Sequence, residues 1–212
     1  MATSPHTERS TILLPPQMLG SVDYYAAIAA FENVVVDTSM RFDKRFKSTH
    51  RTTIADANGT MMLTVPIVRP QSLSTALWSD IKVSDHNAWW NLMMTALRSA
   101  YGRTPYYEYY DDDFQQLIGP HAAGMTLMEF DRQLDMLVRR LAGITSNVVY
   151  APARTIVDGD VADYRRKPID FTHPVAYYQV RALRHGFISG LSIVDLLFNL
   201  GPETPLILRD SI

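Results

Sequence analysis

Residues Tyr24–Asp37 read YYAAIAAFENVVVD, and the fold class turns on how this run divides. YYAAIAAF reads as a short helix, and NVVVD, a compact β-branched run, as a buried strand. Helix and strand thus alternate early, and the rest of the chain continues in mixed order. RFKSTHRTTI (45–54) alternates and is rich in β-branched residues, ANG supplies a turn, and MMLTVPIV (61–68) reads as a second strand. That is a hairpin signal, with Asn58-Gly59 expected to provide the positive φ angles of the turn. LWSDIKVS (77–84) reads as a further strand leading into a helix.

Two helices stand out by period. From His86 to Tyr101, Trp89, Leu92, Met93, Ala96, Leu97, Ala100 and Tyr101 recur at three- and four-residue steps, and Gly102 sits where the helix should stop. TLMEFDRQLDMLVRRLAG carries a capping box in Thr126 and Glu129, a stripe of Phe130, Leu134, Leu137, Val138 and Leu141, and a stop at Gly143. NVVYA (147–151) reads as a strand, and LSIVDLLFNLGPE closes the chain with Ser192 and Asp195 at capping-box spacing. Strands and helices interleave without a strict βαβ period, so the expectation is an α+β or mixed α/β fold: one domain over 1–212, with a central mixed sheet flanked by helices. A flexible N-terminus (1–10) and a long surface excursion at about 154–174, dense in charge and holding two prolines, complete the layout.

Composition excludes several classes of chemistry. Twenty basic and twenty-two acidic residues leave a formal charge of -2, so no bulk field draws nucleic acid or an anionic membrane. Cysteine is absent, which removes disulfides, thiolate nucleophiles and Cys-ligated zinc. The only early apolar run, TILL, is too short for a signal peptide, and no stretch approaches a membrane span, so a cytoplasmic protein without membrane insertion is expected. HExxH, P-loop, GxGxxG and GxSxG spacings are all missing.

Two constellations remain. AYGRTPYYEYYDDDF (100–114) reads as a helix started by Thr104-Pro105, with an acidic first turn and Tyr107, Tyr110, Phe114, Leu117 and Ile118 on the core side. Glu108 and Tyr109 fall off that face, where they are either solvated or line a cleft. His86, read at the start of the long helix, either caps and packs or is kept neutral by the dipole as a base. His50 and Arg51 should lie on opposite faces of their strand.

These blocks, together with LLPPQMLGSVDYYAAI, THRTTIADANGTMMLTVPI, DIKVSDHNAWW and the C-terminal HGFISGLSIVDLLFNLGPE, resemble the WbqC-like family through nearly the whole chain. The resemblance implies a cytosolic bacterial protein of surface-polysaccharide or lipopolysaccharide biosynthesis. It points to His86 and Glu108 as candidate catalytic residues, and to Arg51, Tyr101, Tyr109, Asp195 and Asn199 as candidate substrate-binding residues. The expected activity is transfer of an acyl or aminoacyl group to an activated sugar, with His86 as base, Glu108 orienting it and Arg51 holding a phosphate or carboxylate. Its partners would be a nucleotide-sugar or other small-molecule substrate and an acyl-carrier thioester, with no metal or cofactor. The alternative is a non-catalytic sugar-binding or scaffold protein of the same pathway. Two departures from the family pattern stand out: Met93-Met94 where a His-Trp pair is expected, and His50 where a tyrosine would precede the arginine.

Overall fold

The computed structural model describes residues 11–72, 75–155 and 161–212; the expected flexible segment 1–10 lies outside them. At its centre is a four-stranded parallel sheet in the order β5-β2-β1-β6, with β1 Thr11–Leu14, β2 Asn33–Asp37, β5 Asn147–Ala151 and β6 Val161–Asp163. The period of two decides its faces. Ile12, Leu14, Val34 and Val36 point into the main core, whereas Leu13 and Val35 face the other side, where Ala153 and Val161 cover them. Burial on both faces explains why VVV is an unbroken apolar run. The division of YYAAIAAFENVVVD holds, with α1 at Val22–Ala29 crossing from β1 to β2.

Parallel and antiparallel pairing are both present, but they belong to separate sheets. The antiparallel pair is the hairpin of β3 (Arg51–Asp56) and β4 (Gly59–Thr64). Of its turn residues only Gly59 has a positive φ, 117°. Asn58 instead donates its backbone N–H to the Asp56 carboxylate at 2.8 Å, so an Asx turn replaces the expected pair of left-handed residues. The strand also begins later than the alternation suggests, because Lys47–Thr49 forms a 3-10 turn.

Five helices pack against a sixth. α1, α2 (Trp89–Tyr101), α3 (Tyr107–Leu117), α4 (Leu127–Leu141) and α7 (Thr204–Asp210) all meet α6 (Ile193–Leu200); α5 (Ala182–His185) is a single turn. Every residue of α6 except Leu200 is buried, as expected of a helix that is apolar almost all round. Phe198 meets the rings of Tyr101, Tyr107 and Phe114 at 5.1–5.4 Å. Fully burying such a side chain contributes about 1.5–3 kcal/mol.

Several boundaries differ from the sequence expectation. α2 starts at Trp89, because Asn87 and Ala88 are left-handed (φ 59° and 45°) and break it from a 3-10 turn at His86–Ala88. α3 starts at Tyr107, and Thr104 does not cap it: its hydroxyl donates back to the Tyr101 carbonyl at 2.6 Å. LWSDIKVS forms a 3-10 turn at Trp78–Asp80 and then isolated bridges from Lys82 and Val83. The charged stretch 154–174 is not only a surface excursion. Residues 156–160 lie outside the described ones, but 161–163 are β6, and Phe171 packs against Phe31 and Tyr164.

Candidate functional site

All four strands of the parallel sheet end at the same edge, and the chain leaves β1 and β6 toward different places. From β1 it crosses to β2 on one side, while β6 has been laid down on β1's other flank. In open α/β sheets a crevice forms at such a switch point, outside the carboxyl ends of the strands. A groove lies there in this protein, in two chambers that share Gln17, Ser21 and Ser48.

The inner chamber, about 220 Å³, is built from three segments distant in sequence. The turn after β1 brings Gln17, Gly20 and Ser21; the 3-10 turn and β3 bring Lys47, Ser48, Arg51, Thr52 and Thr53; the lead into α6 brings Gly190 and Ser192. Hydrogen bonds stitch them together. The Leu19 carbonyl accepts from the hydroxyls of Thr52 (2.7 Å) and Ser192 (2.8 Å). Met18 N–H donates to the Ser48 carbonyl, and Ser192 N–H to that of Thr53. Val22 N–H donates to Leu191 and Ile193 N–H to Gly20, so these amides at the starts of α1 and α6 are spent on each other. Those two amides are therefore not free to bind a ligand in this chamber.

The charged side chains of this chamber are cationic. Among the described residues neither Lys47 nor Arg51 has a carboxylate partner. Arg51 makes only a long 3.8 Å contact to the Met62 sulfur, and its buried Nε has no partner. A partly buried guanidinium without a counter-charge is costly unless a ligand supplies one. Neighbouring His50 registers the resulting field. Burial first, then the charges of Arg51 and Lys47, push it down to about 4, so it is a neutral ring near Trp78, 6.0 Å between centroids. His50 is buried and Arg51 faces the groove, as strand alternation requires.

The outer chamber, about 460 Å³, lies between the β1–α1 turn and the segment after β6. Asp37, buried at the end of β2, accepts from Ser39, from the Ala153 amide and from Arg165 at 2.7 Å, and is held below the usual carboxylate range by these bonds against the opposing effect of burial. Arg165 also pairs with Asp163, which leaves it neutralised. Arg166 stands 6.0 Å over the Phe46 ring and Lys167 4.0 Å over that of Tyr164, contacts that hold each head in place while leaving its charge available.

The residues expected from sequence fall into three groups. Arg51 is in the groove. Tyr101, Asp195 and Asn199 converge on a buried network and themselves line none of the described cavities. Asp195 accepts from the Tyr177 hydroxyl at 2.7 Å and from Gln179 at 3.0 Å, Gln179 clamps Ile188 through both its amide atoms, and Asn199 accepts from Val180 N–H. Tyr101 accepts from Ala55 N–H at 3.1 Å. Burial raises the Asp195 carboxyl. Asp195 is therefore not a cap: it anchors the segment that ends at Gly190 on the groove's rim.

His86, Glu108 and Tyr109 form the third group and meet neither Arg51 nor one another in any described cavity. His86 is exposed in the 3-10 turn ahead of the α2 break, not at the first turn of the long helix as expected. Glu108 is exposed on α3, and Tyr109 is 76% exposed. Met93, where the family pattern suggests a histidine, is a core residue of α2, so that departure leaves the groove untouched. Sequence reading missed Gln17, Asp23, Lys47, Ser48, Arg166 and Lys167. The one available signal was PPQ directly after an apolar run, placing a polar residue at a strand's carboxyl end.

Among the described residues no group of His, Asp and Glu is placed to hold a metal ion, and no helix is long and apolar enough to cross a membrane. A family model described as the WbqC-like protein family matches residues 16–163. The match takes in the turn after β1, the hairpin with Lys47 and Arg51, and β6; it stops short of Arg166, Lys167 and α6. No curated protein and no solved structure matches the chain.

Proposed function

Since the chain belongs to the WbqC-like protein family, we propose that it binds an activated sugar by its phosphates in the groove at the carboxyl edge of the sheet. The setting is the surface-polysaccharide assembly that the family resemblance implies. One observation carries the reading: Arg51 and Lys47 line a preformed chamber at the switch point with no carboxylate partner among the described residues. A guanidinium fork and an ammonium suit phosphate oxygens. Gln17, Ser21 and Ser48, between the inner cations and those of the outer chamber, suit the hydroxyls of a sugar. His86 and Glu108 stand outside the groove, so the proposal concerns binding and gives neither a catalytic role.

The experiment is calorimetric titration of wild type, Arg51→Ala and Lys47→Ala with UDP-glucose and with inorganic pyrophosphate. Loss of one charge-assisted bond, about 1.5–3 kcal/mol, predicts at least a tenfold weaker Kd for Arg51→Ala with both probes. Equal affinity in wild type and Arg51→Ala would refute the reading.

A further inference from the structure

One group in the groove has the wrong sign for a phosphate site. Asp23 lies in the first turn of α1 and lines the outer chamber opposite the segment 165–167. It is half-buried, and none of the ion pairs among the described residues includes it. None of the chamber's cations pairs with it: Arg165 is committed to Asp37 and Asp163, and the heads of Arg166 and Lys167 rest over Phe46 and Tyr164. Behind it, the cleft shared with Val175, Phe187, Ile188 and Ser189 holds no cationic side chain. The nearby Tyr177 hydroxyl is bonded to Asp195 and offers it no donor. Burial accordingly raises the Asp23 carboxyl, with no cation among the causes.

Resting on the groove reading above, we infer that the ligand carries a protonated amine as well as its phosphate, and that Asp23 receives the amine. The ligand class is an amino-sugar phosphate or a similar zwitterion. The phosphate goes to Lys47 and Arg51, the neutral stretch at Gln17, Ser21 and Ser48 takes the hydroxyls, and the ammonium donates to Asp23 in a charge-assisted hydrogen bond. A carboxylate inside a cationic groove repels a second phosphate placed against it and rewards an ammonium there, so Asp23 sets specificity by rejecting as well as by attracting.

The test compares glucosamine 6-phosphate with glucose 6-phosphate by calorimetric titration, at a pH where the amine is protonated. Wild type is expected to prefer the amino sugar by about tenfold or more. In Asp23→Asn that preference disappears while affinity for glucose 6-phosphate stays within about twofold. Equal binding of the two probes by wild type, or a preference that survives in Asp23→Asn, overturns the inference and leaves the groove standing. Failure of wild type to bind either probe overturns the groove reading and the inference together. Asp23 also favours the dipole of α1 from its first turn, so the thermal midpoint of the variant is read in parallel. A lowered midpoint with unchanged preference marks a purely structural role and likewise overturns the inference.

Discussion

His50 offers a measurement of the groove's positive field that needs no ligand. Its ring is 8% exposed, and burial, Arg51 and Lys47 together push it from 6.5 down to about 4. The unfolded chain therefore takes up a proton at this position at a pH where the folded chain does not. Its stability contribution is complete above pH 6.5 and is lost as pH falls from there toward 4. The displacement sets a ceiling of about 3 kcal/mol, and solvent screening of the Arg51 and Lys47 charges reduces the expectation to about 1.5 kcal/mol. At about 2.1 cal/mol/K of unfolding entropy per residue, that is a midpoint difference of about 3 °C for a chain this long. The assay is thermal unfolding of wild type and His50→Phe at pH 7.5 and pH 4.5. The carboxylates held low, such as Asp37 and Glu129, and those held high titrate in both proteins and cancel in the difference. Wild type should lose about 3 °C against the variant between the two pH values. In an Arg51→Ala background the loss should shrink, because one of the charges acting on the ring is gone. A wild-type-minus-variant difference that stays flat across this range would refute the argument.

Two further outcomes follow from other parts of the molecule. Asp131 is buried on α4, with an unpartnered carboxyl oxygen, and burial together with Asp135 pushes it well above the usual carboxylate range. A raised acid costs stability as pH climbs past its unfolded value, so Asp131→Asn should melt about 2–4 °C higher than wild type at pH 8, with the gain gone near pH 4. Gly201 ends α6 with φ 51°, and a Cβ there would be driven into the Tyr106 ring. Gly201→Ala should therefore cost about 2–4 kcal/mol, read as a midpoint about 5–9 °C lower in calorimetry.

What was legible in the sequence followed periodicity, and what was hidden depended on meeting in space. VVV, the stripe of α4 and the Thr126 cap could be read because a strand's two faces, a helix's stripe and a cap are local; Thr126 accepts from Glu129 N–H as its spacing requires. The start of α2 was hidden because Asn87 and Ala88 are left-handed without being glycine, a cost that only the surrounding structure can sustain. Asp195 fits a capping box by spacing, yet its partners are Tyr177 and Gln179, and no helical period predicts a loop folding back onto it. The groove was the least visible part. Arg51 was found through resemblance, but its neighbours Gln17 and Ser192 are brought to it by a bond from Thr52 and one from Ser192 to the same carbonyl, Leu19. Nothing along the chain marks that carbonyl.

That shared carbonyl has a consequence for how the protein is made. During synthesis the turn after β1 and the hairpin are released early, while Ser192 and the helix it begins come long after β5 has been laid down. Until they arrive, the helical layer lacks the element around which α2, α3, α4 and α7 pack, and the Leu19 oxygen has one of its two donors. Domains complete only when their long-range contacts do, so the apolar shell stays open until α6 emerges. The segment from β6 to α7 then closes the core and the groove. A nascent chain stalled before α6 has neither a closed core nor a complete groove.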